Sequence, residues 1–110
     1  MIARTATIAL SALTLTLAPS FPAVAATGTF AYSFPASYGT GAGHLHHPRS
    51  GACIDISEIR YSDESAHTPR NDTDSTATLF MGPDCSGPYY SLRPGGRGSD
   101  RLFLRSVVFS

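Results

Sequence analysis

The sequence predicts a small all-β domain, an antiparallel Greek-key sandwich closed by one disulfide. Short runs in which apolar and polar residues alternate recur after residue 26, and such alternation is typical of half-buried strands. Clusters of Gly, Pro, Asn, Asp and Ser separate these runs, as turns require. No stretch after residue 26 keeps the helical spacing of apolar residues over three turns. The chain therefore predicts sheets rather than helices.

Residues 1–26 predict a cleaved signal peptide. Arg4 precedes an apolar run over residues 8–18, and these 11 residues are too few to span a bilayer, which takes about 20. The small residues of Ala23-Val24-Ala25 suit a signal peptidase, and cleavage after Ala25 or Ala26 fits about equally well. A buried N-terminal helix is the alternative. Residues 27–110 are then a single β domain, secreted and extracellular, with no integral membrane association after cleavage.

Five alternating runs predict strands, in chain order at residues 29–34, 52–59, 77–81, 89–93 and 101–109. The first places Phe30, Tyr32 and Phe34 on one face, and the last is the longest. Between them, the Gly-rich segments 39–51 and 94–100 and the polar segment 60–76 predict surface loops.

Charge is unevenly distributed along residues 27–110, which hold seven Arg, no Lys and eight acidic residues, a net charge of −1. Residues 53–85 carry −5 and residues 86–110 carry +3. Two faces of one fold that attract each other explain this pattern, and a partner-binding patch is the alternative. The near-neutral total excludes a highly basic nucleic-acid binder, so no nucleic acid is expected as a partner.

Two cysteines, Cys53 and Cys85, allow one pairing within the chain. A small exported domain has a marginal core and is commonly stabilised by such a bridge. Free thiols or an intermolecular bridge are the alternatives.

Three histidines form a candidate transition-metal site. In a strand, His44 and His46 project to the same side, and His67 could add a ligand from the loop at 60–76. The alternative is a solvated histidine turn.

A second candidate metal site is calcium bound by Asn71, Asp72, Asp74 and Ser75, because hard cations prefer oxygen ligands of this kind. The alternative is an Asx or Ser/Thr turn that leads into the strand at residue 77. Beyond possible Ca²⁺, no cofactor is expected.

Catalytic patterns are lacking in the sequence. It contains no G-x-S-x-G motif and no cysteine left over for a Cys-His pair once the bridge forms. The Gly-rich segment at 94–98 lacks the Lys and helix of a phosphate-binding loop. We therefore expect a protein that is not an enzyme.

Several short motifs of the second half carry a family resemblance. They are Asn71-x-Thr73, Ala77-Thr-Leu-Phe80, Asp84-Cys85-Ser-Gly87, Leu92-Arg-Pro94-Gly95 and Arg105-Ser106-Val107-Val108-Phe109. In this order they resemble the secreted βγ-crystallin-like proteins of actinobacteria, the group of the Streptomyces metalloproteinase inhibitor and killer toxin-like proteins. The resemblance covers the second half only. It implies two Greek keys of four strands each, and its calcium signature is similar to residues 71–76.

The resemblance and the loops together predict a secreted, non-enzymatic binding protein. Peptidase inhibition is the most concrete activity, with an extracellular protease or another protein as partner. Arg49 and Arg97, on the loops at 39–51 and 94–100, are the candidate contact residues. A calcium-stabilised structural module and a small secreted toxin that acts on anionic surfaces are the alternatives.

Overall fold

A computed structural model describes residues 24–110 of the chain. These residues form eight strands and one short 3₁₀ turn at Ser57–Ile59. The strands are β1 (Gly28–Ala36), β2 (Gly39–His46), β3 (Ile54–Asp55), β4 (Ala66–Thr73), β5 (Ala77–Phe80), β6 (Tyr89–Leu92), β7 (Phe103–Leu104) and β8 (Ser106–Phe109). The prediction of an all-β fold is confirmed. Residues 1–23 of the predicted signal peptide lie outside the described residues.

The strands form two antiparallel sheets. The order in the first sheet is β2-β1-β4-β7, and in the second it is β3-β8-β5-β6. Each half of the chain therefore contributes its third strand, β3 or β7, to the sheet built mainly by the other half. This exchange interlocks the two halves and is consistent with the predicted Greek-key arrangement.

The core contains apolar side chains from both sheets. Phe30 of the first sheet packs edge-to-face on Phe109 of the second, with ring centroids 5.5 Å apart. Both rings are fully buried, together with Leu79, Leu104 and Val107. An aromatic pair of this geometry adds about 0.5–1.5 kcal/mol beyond the burial of its area. The predicted inward face of β1 is confirmed at Phe30 and Tyr32, while Phe34 is partly buried.

The prediction of a loop over residues 39–51 is wrong for its first eight residues, which form β2 and pair with residues 29–36 of β1. The two inward positions opposite Tyr32 and Phe34 are Gly43 and Gly41. A Cβ at either glycine would overlap the ring of its partner. The inward face of β2 thus consists of glycines that are covered by aromatic rings of β1. The sequence of β2 itself shows no alternation of apolar and polar residues.

The prediction of a surface loop over residues 60–76 is also wrong for residues 66–73, which form β4 between β1 and β7. Its inward positions hold Pro69, Asn71 and Thr73, all of which are buried. Pro69 is tolerated because the pairing with β1 shifts register at this point, between Ala31 and Ser33. Polar residues and a proline at inward positions hid the strand from the hydropathy pattern.

The strand predicted at 101–109 divides at Arg105 into β7 and β8, which belong to different sheets. The Arg105 guanidinium donates to the carbonyls of Ile59, Ser62 and Glu64. This arginine therefore ends one strand and fixes the segment after the 3₁₀ turn.

The predicted disulfide is confirmed. Cys53 and Cys85 are bonded, with Cα atoms 5.9 Å apart and 32 positions between them in sequence. The bridge joins the start of β3 to the segment between β5 and β6, so it links the two halves of the chain. Ser106 supports this segment: its hydroxyl accepts from the Cys85 amide (2.8 Å) and donates to the Gly82 carbonyl (2.7 Å).

Residues 24–26 pack on the domain. Ala26 is 2% exposed, and its amide donates to the Pro48 carbonyl at 2.8 Å. The Ser50 amide donates to the Val24 carbonyl, also at 2.8 Å. Within residues 24–110 no helix is long and apolar enough to cross a bilayer.

Candidate binding surface

Asn71, the first predicted calcium ligand, is fully buried and serves as a hydrogen-bonding centre. Its Nδ2 donates to the carbonyls of Ser75 (2.8 Å), Leu92 (2.9 Å) and Arg93 (3.1 Å). Its Oδ1 accepts from the amide and the hydroxyl of Thr73. The side chain therefore ties β4 in the first sheet to the end of β6 in the second.

The side-chain oxygens of the other three predicted calcium ligands already have hydrogen-bond partners within the protein. Asp72 Oδ2 accepts from Arg70 Nε at 2.7 Å. Asp74 Oδ1 accepts from the Thr27 amide at 2.8 Å and from the Ser75 hydroxyl at 3.3 Å. The Asx and Ser/Thr turns that the sequence offered as the alternative are formed by Asn71 Oδ1, which accepts from the Thr73 amide at 3.2 Å, and by Thr73 Oγ1, which accepts from the Ser75 amide at 3.2 Å. Calcium binding at these residues stays a prediction.

Two of the three candidate metal-binding histidines lie together. The rings of His44 and His46 on β2 are stacked in parallel, with centroids 5.8 Å apart. His67 lies on β4, opposite Ser33, and its Nδ1 shares a hydrogen bond with Thr68 Oγ1 at 2.8 Å. Within residues 24–110 no three His, Cys, Asp or Glu side chains are close enough together to hold a metal ion.

The two candidate contact arginines are both exposed but lie in different surroundings. Arg49 pairs with Ala25 through an isolated β-bridge near the N-terminal residues. Arg97 pairs in the same way with Arg70 of β4. The structure therefore does not bring Arg49 and Arg97 into one described contact.

Residues 93–98 form a segment that runs along β4 on the side away from β1, beyond the short pairing of β4 with β7, and we call it the Arg97 segment. Gly95 and Gly98 donate to the carbonyls of Asn71 (2.7 Å) and Pro69 (2.8 Å), and the Asn71 amide donates to Gly96 (2.9 Å). The Gly96 amide also closes a turn on the Arg93 carbonyl at 2.8 Å. Four backbone hydrogen bonds therefore hold this exposed segment, which the sequence predicted as a loop.

A cavity of about 290 Å³ opens on the outer face of the first sheet. It lies at the register shift where Thr68 and Pro69 of β4 face Tyr32 of β1. The lining includes small residues of β1 and β2, the side chain of His44, and the basic pair Arg70 and Arg97. We call this cavity the first-sheet groove. It contains no Asp or Glu in its lining.

Sequence reasoning identified His44 and Arg97 but not their neighbours in the first-sheet groove, Arg70, Ser33 and Thr68. Arg70 lay in the segment predicted as a loop. Only its spacing of two from Asp72 pointed to a shared strand face.

A second cavity, of about 280 Å³, is lined by Asp55, Asp84, Arg60 and Arg105, among others. Asp55 Oδ1 accepts from the Asp84 amide at 2.8 Å. The Arg105 guanidinium donates hydrogen bonds to three backbone carbonyls. These groups hold the disulfide-linked segment and the 3₁₀ turn in place.

Two tyrosines are held in their neutral form. Burial raises the pKa of Tyr32 above its ordinary value, and the hydrogen bond that its hydroxyl donates to Glu58 (2.7 Å) raises it further. Burial alone raises the pKa of Tyr90. Such shifts couple tyrosine ionisation to unfolding.

We expect the domain to lose stability as the pH rises above about 10, the ordinary tyrosine pKa. There the unfolded chain releases the protons of Tyr32 and Tyr90 while the folded chain keeps them, so the free energy of unfolding falls with pH. Urea midpoints at pH 8 and pH 11 measure this slope. Tyr32→Phe should flatten it, and the same change at exposed Tyr89 should not. If the stability of the Tyr32→Phe chain fell with pH as steeply as that of the unmodified chain, the assignment of the pH dependence to Tyr32 would be contradicted.

Comparison with known proteins identifies no relative: no protein-family model, no curated protein and no solved structure is significantly similar to the chain. The resemblance to βγ-crystallin-like proteins therefore stays a prediction from the motifs.

Proposed function

We propose that the chain is a secreted, non-enzymatic binding protein and that peptidase inhibition is its most concrete activity. The observation that supports this proposal best is the Arg97 segment, which is exposed and yet held by four backbone hydrogen bonds. The partner is then an extracellular protease or another protein that binds this segment.

Rigidity is what favours inhibition. A segment that must become ordered on binding loses affinity, and a segment held in its bound shape avoids that cost. The Arg97 segment is fixed on one side by β4 and contains a positive-φ glycine, Gly95 (φ 82°), that sets its turn. Arg97 offers a protease a permanently charged side chain with five donors.

Secretion is supported by the disulfide, since such bridges persist in oxidising compartments. Of the two predicted cleavage positions, cleavage after Ala25 keeps Ala26, which is buried and donates to Pro48. We therefore favour a mature chain of residues 26–110, and N-terminal sequencing of the exported protein checks this choice.

The purified mature chain should inhibit at least one peptidase from a panel of metallo-, serine and cysteine peptidases at micromolar concentration. Arg97→Ala should weaken that inhibition tenfold or more, which corresponds to about 1.4 kcal/mol. Arg101→Ala is the matched control, because Arg101 is exposed but lies outside the Arg97 segment and the groove lining. Absence of inhibition at micromolar excess would refute the proposal, and equal inhibition by the Arg97→Ala chain would exclude the segment.

A further inference from the structure

We propose that the first-sheet groove binds an oxyanion, the carboxylate, sulfate or phosphate group of a ligand. This inference adds a ligand chemistry to the proposed binding function, but it rests on the groove alone and does not require that the partner be a peptidase.

The groove exists because β4 carries one more residue than β1 at this point. Ala31 pairs with Arg70 and Ser33 pairs with His67, so two residues of β4, Thr68 and Pro69, face one of β1. Thr68 takes a left-handed backbone conformation (φ 53°) to make this bulge. Bulges open the ladder and redirect side chains, and here the opening leaves room above a floor of small side chains, Ala31, Ser33 and Ala42.

Like charges meet at one wall of the groove. Arg70 and Arg97 occupy directly opposite positions of an antiparallel bridge, an arrangement that is unfavourable for two cations. Asp72 neutralises only one of them, through Arg70 Nε at 2.7 Å, and both side chains of this pair remain about half exposed. Within residues 24–110 the Arg97 guanidinium has no acidic partner. An anion between the two arginines would relieve their repulsion.

The remaining groups of the groove suit an oxyanion. Each guanidinium presents donors in a planar fork that matches carboxylate and phosphate oxygens. Ser33 and Thr68 also lie in the lining, where Thr68 Oγ1 shares a hydrogen bond with His67 Nδ1, and His44 lies at the opposite wall, on β2. The volume of about 290 Å³ exceeds one oxyanion, so part of the carrier molecule would enter as well.

The test is an amide NMR titration of the ¹⁵N-labelled mature chain with sodium sulfate, inorganic phosphate and sodium acetate, at constant ionic strength. We expect saturable shifts at the amides of Ala31, Ser33, Ala42 and Gly98. Larger shifts with sulfate and phosphate than with acetate would indicate a sulfated or phosphorylated ligand. Larger shifts with acetate would indicate a ligand that carries a carboxylate. Shifts that do not saturate with any of the three anions, or that are spread over the whole surface, would overturn the proposal.

Charge variants separate this site from general anion attraction. Arg97→Gln should raise the sulfate dissociation constant tenfold or more, and Arg101→Gln should leave it within a factor of two. Asp72→Asn should lower the constant, because it removes the carboxylate that competes for Arg70. If Arg97 and Asp72 had purely structural roles, the two substitutions would not change the sulfate dissociation constant in opposite directions. Equal weakening by Arg97→Gln and Arg101→Gln would overturn the proposal, whatever the outcome of the peptidase assays.

Discussion

Replacing both Cys53 and Cys85 by serine should lower the free energy of unfolding by about 3–4 kcal/mol. The bridge closes 32 sequence positions, and in the chain-entropy model its removal restores that much conformational freedom to the unfolded chain. For a domain of this size the loss corresponds to a decrease in Tm of roughly 15–25 °C. Thermal and urea unfolding of the double variant measure it.

The oxidised and reduced forms of the unmodified chain are the control for the disulfide prediction. Reductant should lower the unfolding midpoint of the unmodified chain to that of the double variant and should leave the double variant unchanged. Equal midpoints for the oxidised chain and the double variant would show that the two halves of the chain need no covalent link.

Asn71→Ala should cost about 3–5 kcal/mol, although it removes only a small polar side chain. The change leaves the carbonyls of Ser75, Leu92 and Arg93 without their Nδ2 donor and takes an acceptor from Thr73. A buried polar group without a partner costs about 1–3 kcal/mol. Urea unfolding measures the loss.

Two comparisons distinguish this structural role from a calcium site. Asp72→Ala, one position away and on the exposed face, should change stability by less than about 1 kcal/mol. Millimolar calcium should leave the midpoint of the unmodified chain where chelator leaves it. A midpoint that rises with calcium, and a rise that Asn71→Ala abolishes, would instead support the predicted calcium-stabilised module.

The strands that the sequence predicts are those whose own residues carry the pattern. Phe30 and Tyr32 alternate with the small residues Thr29, Ala31 and Ser33, and this pattern predicts β1. In β2 the inward positions are glycines covered by rings of β1, so the apolar surface belongs to a neighbouring strand. In β4 the inward Asn71 is satisfied by hydrogen bonds to residues more than 20 positions away. The spacing of apolar residues along the sequence predicts neither arrangement.

The candidate site was predictable to the same limited extent. Exposed Arg97 on a Gly-rich segment follows from the sequence, and so does the shared face of His44 and His46. The opposition of Arg70 and Arg97 and the bulge at Thr68 depend on how β4 pairs on both of its sides. Such pairings between distant segments have no local signature.

The central claim is that the Arg97 segment is rigid before any partner binds. Hydrogen exchange of the amides of Gly95, Gly96 and Gly98, followed by NMR on the mature chain, measures this most directly. These three amides donate to the carbonyls of Asn71, Arg93 and Pro69, respectively. We therefore expect their exchange to be at least about a hundredfold slower than in an unstructured peptide. Exchange of these three amides at the rate of an unstructured peptide, while those of β1 stay protected, would contradict the claim.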